Sequence, residues 1–188
     1  MNARRVLACI CMAAATAALA ADEPFGVLDI ALGASYSRLE QRLEFRDINA
    51  SLAANKPGKP DLGRRGYGCM KRDDPFADVG CVSHDEKLDG VETREIRLHF
   101  LGGRLQQFSV TAELQYYDAV TGYLRGRYGE PRQLAAAGAG AEPSLEWQNE
   151  SGRIVAYRGK DLVFVNFELA SYADAVKRKR EGASVECT

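Results

Sequence analysis

The sequence predicts an α+β domain, an antiparallel sheet with helices packed on one face. Three observations carry this. Val91 to Leu101 and Arg104 to Leu114 alternate apolar and polar residues on either side of Gly102-Gly103, the pattern of a hairpin with one buried face. Tyr116 to Pro131 reads as a helix of about three turns. Its start is marked by Asp118, a capping residue, and its stop by Gly129 and Pro131. Ser144 to Gln148, Arg153 to Arg158 and Leu162 to Leu169 then read as three further strands parted by turn residues.

Before the hairpin, Phe25 to Leu32 is expected to be a strand. Ser35 caps a first helix that runs to about Phe45 on the stripe Tyr36, Leu39 and Leu43. Asn49 to Gly68 is rich in Gly, Pro, Asn and Lys and reads as a long loop. In the middle helix, Val120, Tyr123, Leu124 and Tyr128 share the side a sheet would cover, with Ala119, Gly122 and Gly126 opposite. Either a second element presses on that smooth side or it is an exposed face of poor helix formers. Leu134 to Pro143 is a linker, and Ser171 to Arg180 is a terminal helix whose closing cations suit the macrodipole. A helix precedes strands both in residues 25–114 and in residues 117–180, which suggests two half-units within one domain.

Met1 to Ala20 has the layout of a cleaved secretory signal: Arg4 and Arg5, an apolar run, then Ala18-Leu19-Ala20. The expected mature domain, residues 21–188, has 23 Lys and Arg against 26 Asp and Glu, a net −3, and no basic excess for nucleic acid. No later run is long enough to span a membrane. Export places the domain in the periplasm, where cysteines can oxidise. Cys69, Cys81 and Cys187 remain after cleavage and allow one intramolecular bridge. Cys69 with Cys81, in adjoining strand-like segments around Asp73 to Asp78, is favoured over pairings with Cys187.

Chemistry is harder to find. His99 alternates with Leu98 and Phe100 and falls on the solvated side of its strand; His84 opens the turn-like His84-Asp85-Glu86-Lys87-Leu88-Asp89-Gly90. Ser83-His84-Asp85 is not a triad, since neighbours on a strand point to opposite sides. Neither ligand spacing for a metal nor a cofactor fingerprint is present. The candidate binding residues are Lys56, Lys59, Arg64, Arg65 and Tyr67 in the long loop, where cations would meet an anionic group by charge-assisted hydrogen bonds.

Phe25-Gly26 leading to Leu32-Gly33 and a helix, then Tyr128-Gly129-Glu130-Pro131, Trp147 and two closing strands, resembles a broad group of small secreted bacterial α+β proteins of unassigned function. The helix-then-sheet plan also resembles the beta-lactamase-inhibitor-protein class. The lack of a catalytic constellation on a secreted, disulfide-capable scaffold leads to the expectation of a non-enzymatic periplasmic protein-binding or inhibitor-type module, without cofactor or metal, that offers a sheet face and the loop from Asn49 to Gly68 to another envelope or secreted protein. The alternative is a small-ligand or envelope-lipid binder, its pocket formed between the glycine-lined helix and the sheet.

Overall fold

The computed structural model describes residues 24–48, 66–84, 86–136 and 142–185. Its elements are β1 (Gly26–Val27), β2 (Ile30–Ala31), α1 (Tyr36–Arg42), β3 (Phe45–Asp47), β4 (Tyr67–Asp74), β5 (Ala77–Ser83) and β6 (Lys87–Leu88). There follow β7 (Val91–Leu101), β8 (Arg104–Glu113), a 3-10 turn (Leu114–Tyr116), α2 (Tyr117–Tyr128), β9 (Arg132–Leu134), β10 (Ser144–Asn149), β11 (Gly152–Arg158), β12 (Leu162–Leu169) and α3 (Tyr172–Val185). The expected signal segment lies outside the described residues.

One ten-stranded sheet runs in the order β3-β4-β5-β7-β8-β12-β11-β10-β9, with β6 added beside β7. Its neighbours are antiparallel except β3 and β4, so the sheet is mixed. The chain winds from one edge inward to β8, then from the other edge inward to β12, and these two strands meet at the centre. Their facing residues explain the join: Phe108 lies opposite Phe167, Val110 opposite Val165 and Ala112 opposite Val163, all buried. The two phenyl rings stack at 4.1 Å.

The alternation of β7 sorts as expected, with Ile96, Leu98 and Phe100 in the core. Turn chemistry sets the register of the flanking strands. Asp74 Oδ1 accepts from the N–H groups of Phe76 (2.9 Å) and Ala77 (3.0 Å), closing the β4–β5 turn. Asn149 Oδ1 does the same for Ser151 (2.9 Å) and Gly152 (3.1 Å) between β10 and β11. Across β4 and β5, Cys69 stands directly opposite Cys81 with the sulfurs at the disulfide separation of 2.08 Å. The short edge strand β9 falls in and before the expected linker; three residues with two of them exposed carry no periodic signal.

α1 begins at Ser35, whose Oγ accepts from Arg38 N at 3.2 Å, but it ends at Arg42 rather than near Phe45. Leu43 is already extended, and Phe45 is drawn into β3 beside Tyr67. α2 buries Val120 and Leu124, with Tyr123 and Tyr128 packed partly against the same core. Asp118 does not cap it. The helix continues out of the 3-10 turn, the Tyr117 N–H donating to Leu114 O, so the Asp118 side chain stays in solvent. Gly129 closes it at φ 80°, a conformation open to glycine, and its N–H reaches Arg125 O. Gly122 and Gly126 are exposed, and a Cβ added at either would meet nothing within 4 Å, so no element among the described residues presses on that side.

α1 and α2 contribute Leu39, Val120 and Leu124 to the main core. α3 does not join them. Its Tyr172 and Val176 bury with Leu101 in a separate cluster. Leu101 follows the core residue Phe100 on β7, so it projects from the other side of the sheet. The three helices therefore do not share one face. α3 also runs on to Val185, which leaves Lys177 to Arg180 mid-helix, away from the C-terminal carbonyls that the macrodipole reading invoked.

Phe25 to Leu32 is not one strand but a tight hairpin, β1 and β2 joined by Leu28-Asp29. Leu28 turns at φ 54° with its side chain exposed. A Cβ in the left-handed region costs about 1–2 kcal/mol. Leu28→Gly is therefore expected to raise the urea midpoint by an amount equivalent to roughly 0.5–1 kcal/mol, part of the relief being spent on glycine's greater unfolded-state entropy. A lower midpoint would mean that the leucine side chain makes stabilising contacts at the tip.

Candidate functional site

Of the candidate loop residues, Lys56, Lys59, Arg64 and Arg65 lie outside the described residues. Tyr67 is described, and it is not a loop residue. It begins β4 and is 1% exposed, on the core side with Cys69, its ring against Phe45. Its hydroxyl is buried without a hydrogen-bond partner among the described residues, and burial, with Glu86 adding, pushes the phenol pKa up. A side chain so placed offers nothing to a partner. The loop reading extended too far because aromatic residues suit both strand cores and binding loops.

Ser83 and His84 do not converge on a common site among the described residues. Ser83 Oγ is buried, whereas His84 is exposed with Nδ1 2.9 Å from Arg94 O; Asp85 lies outside the described residues. Among the described residues no group of three His, Cys, Asp or Glu side chains is arranged to hold a metal ion.

What the strands do assemble is the side of the sheet opposite the core. Side chains alternating with the core residues line up there in rows across the strands. One row runs Gly80, His99, Gln107, Glu168, Arg153, Gln148, from β5 to β10. The next runs Val82, Arg97, Ser109, Asn166, Val155, Glu146, with Arg132 on β9 at the far edge. A third includes Glu95, Thr111, Phe164 and Tyr157, the last two rings stacked at 5.2 Å. Charges alternate in sign and pair locally: Arg97 with Glu95 at 2.9 Å, Arg153 with Glu168 at 3.1 Å, and Arg132 with the buried Glu146.

α3 covers one end of this face. Lys179 Nζ lies 2.8 Å from Asp78 Oδ1, Tyr172 donates to Phe76 O and the Arg180 guanidinium sits over the Phe76 ring. Burial pushes the Asp78 carboxyl up, but the Lys179 ammonium and the Gly102 N–H pull it below its ordinary range.

His99 is on the expected side of β7 yet not in open solvent. Its Nδ1 is buried without a hydrogen-bond partner among the described residues, opposite Gly80 with the Arg72 stem laid over that glycine. Burial, then the nearby Arg72 and Arg97, hold its pKa below the ordinary histidine value. Folding thus favours the neutral ring. Its contribution to stability is present above the unfolded value near pH 6.5 and is lost as pH falls below it towards the folded value. Urea midpoints should drop between pH 7 and 5, by at most about 1.4 kcal/mol per pH unit for one proton. His99→Gln should flatten that slope; an unchanged slope would assign it to other groups.

No protein-family model, curated protein or solved structure matches the chain.

Proposed function

We propose that the chain is a non-enzymatic protein-binding or inhibitor-type module, exported to the periplasm through a cleaved N-terminal signal, whose partner is another envelope or secreted protein. The outer sheet face carries this reading. It offers ordered rows of Arg97, Ser109, Asn166 and Arg153 beside the stacked Tyr157 and Phe164. Aromatic residues and arginine are the side chains that protein interfaces favour. Alternating signs suit a partner with complementary charges, not a polyanion. The Cys69–Cys81 pair accords with an oxidising compartment.

A photo-crosslinking side chain placed at Asn166, on the outer face, and at Gly122, on the solvent side of α2, tests it in the periplasm of the native host. One stoichiometric protein adduct from Asn166 and none from Gly122 is the expected result. Equal labelling from both positions, or no adduct from Asn166, removes the face from consideration.

A further inference from the structure

α3 is fastened to the sheet along one stripe. Between Tyr172 and Gly182 only Tyr172, Ala175, Val176 and Lys179 are buried or half-buried, the three- and four-residue spacing of a single helix face. Its two buried apolar side chains, Tyr172 and Val176, meet Leu101 and add nothing to the main core. Polar contacts join them at the β4–β5 turn: Tyr172 Oη donates to Phe76 O at 3.2 Å, and Lys179 Nζ to Ala77 O at 3.1 Å and Asp78 Oδ1 at 2.8 Å. That seat is built without α3. Asp74 closes the turn through the Phe76 and Ala77 N–H groups, and Asp78 Oδ2 accepts the Gly102 N–H at 2.7 Å, which ties it to the β7–β8 turn. Phe100, Phe108 and Phe167 are buried on the other side of the sheet. The helix can therefore leave without opening the core or the seat. A helix of 14 residues is marginal in water on its own, so it unwinds once it is off the sheet.

The seat continues the outer face. Asp78 stands two residues before Gly80 on β5 and Leu101 two residues after His99 on β7, and Gly80 and His99 open the first row of that face. We propose that α3 is a displaceable strap over this end of the outer face: it opens and closes while the sheet stays folded, and a partner on the face reaches Leu101 and Phe76 only when it is open. Opening uncovers the buried leucine, the Phe76 ring and the Asp78 carboxylate that Lys179 held, adding apolar area beyond that of Tyr157 and Phe164. The closed strap lowers the apparent affinity by the fraction of molecules that are open. The opening rests on the geometry of α3 and its seat; the effect on binding rests on the outer-face reading proposed above.

Native-state hydrogen exchange, followed by nuclear magnetic resonance in low urea, tests the opening. The Val176 to Lys179 amides should exchange at least about 100-fold faster than the most protected amides of β8 and β12, and with a much weaker urea dependence, the marks of an opening short of global unfolding. Lys179→Met, which keeps the stem and removes both donated bonds, should speed the α3 amides about fivefold, the scale of a partly exposed ion pair. Tyr172→Phe, which loses only the bond to Phe76 O, should act in the same direction by a smaller factor. Equal protection and equal urea dependence in α3, β8 and β12 overturns the proposal, since the helix then leaves only with the whole fold. Unchanged α3 exchange in both variants overturns it as well, because the amides then open by fraying on the seat. For binding, the photo-crosslinker at Asn166 should give up to about fivefold more adduct in Lys179→Met than in the parent at matched expression with partner limiting, following the larger open fraction. Equal or lower yield overturns the strap's hold on the face. Absence of adduct in both proteins removes the outer-face reading and the inhibitory role with it, while exchange still decides whether α3 opens.

Discussion

Phe108→Ala is expected to cost about 4 kcal/mol of stability, the range for truncating a fully buried aromatic in a core that cannot collapse around the gap. Phe108 is 0% exposed, and its ring stacks on Phe167 across β8 and β12. That pair lies where the two inward-winding halves of the sheet meet, so its loss weakens the contact on which both halves depend. Equilibrium urea unfolding followed by Trp147 fluorescence and by far-ultraviolet circular dichroism measures it. Trp147 lies in β10 of the second half, its Nε1 donating to Gly129 O at 2.8 Å, so it reports that half while dichroism reports the whole. Coincident transitions at a lower midpoint are expected. A cost under about 1 kcal/mol, well below the range for buried aromatics, would mean that the centre of the sheet repacks freely.

Removing the crosslink by the double change Cys69→Ala and Cys81→Ala should cost about 3 kcal/mol, the loop-closure entropy for a short covalent ring in the chain-entropy account. The sequence separation is 12 residues. Both positions are buried, at 4% and 1% exposure, so alanine fits without leaving a polar group unsatisfied. Dithiothreitol should lower the midpoint of the parent protein and leave that of the variant unchanged. Equal midpoints for parent and variant under oxidising conditions would show that the β4–β5 ladder alone specifies this register. Replacing only one cysteine is a poorer test, since it leaves a buried thiol free to seek another partner.

Much of the strand plan was legible because a two-residue repeat is a strong local signal. The Val91–Leu101 strand and its return across Gly102-Gly103, the three strands after Ser144, and the cysteine pairing all follow from alternation and turn residues close in the chain. Ser35 and Gly129 mark their helix ends for the same local reason, a side-chain oxygen for an unbonded N–H and a glycine for a left-handed turn. Asp118 failed as a cap because a preceding 3-10 turn already supplied a carbonyl to the backbone there. Leu28 at a left-handed turn runs against leucine's intrinsic preference, so alternation alone reads that hairpin as one strand. The candidate site was less legible. Its rows are built from residues such as Gln107, Glu168 and Arg153, polar side chains with no motif among them that become neighbours only through strand order.

By itself the sequence determined the α+β class and the alternation that separates a core face from a polar one, and it favoured Cys69 with Cys81 over pairings with Cys187, because each reading rests on residues near one another in the chain. Only the tertiary structure decided that the two halves wind inward to join at β8 and β12 and that α3 leaves the side shared by α1 and α2. Those relations join residues far apart in the chain. They depend on which apolar surfaces bury together when the whole sheet closes, and no local pattern carries that information.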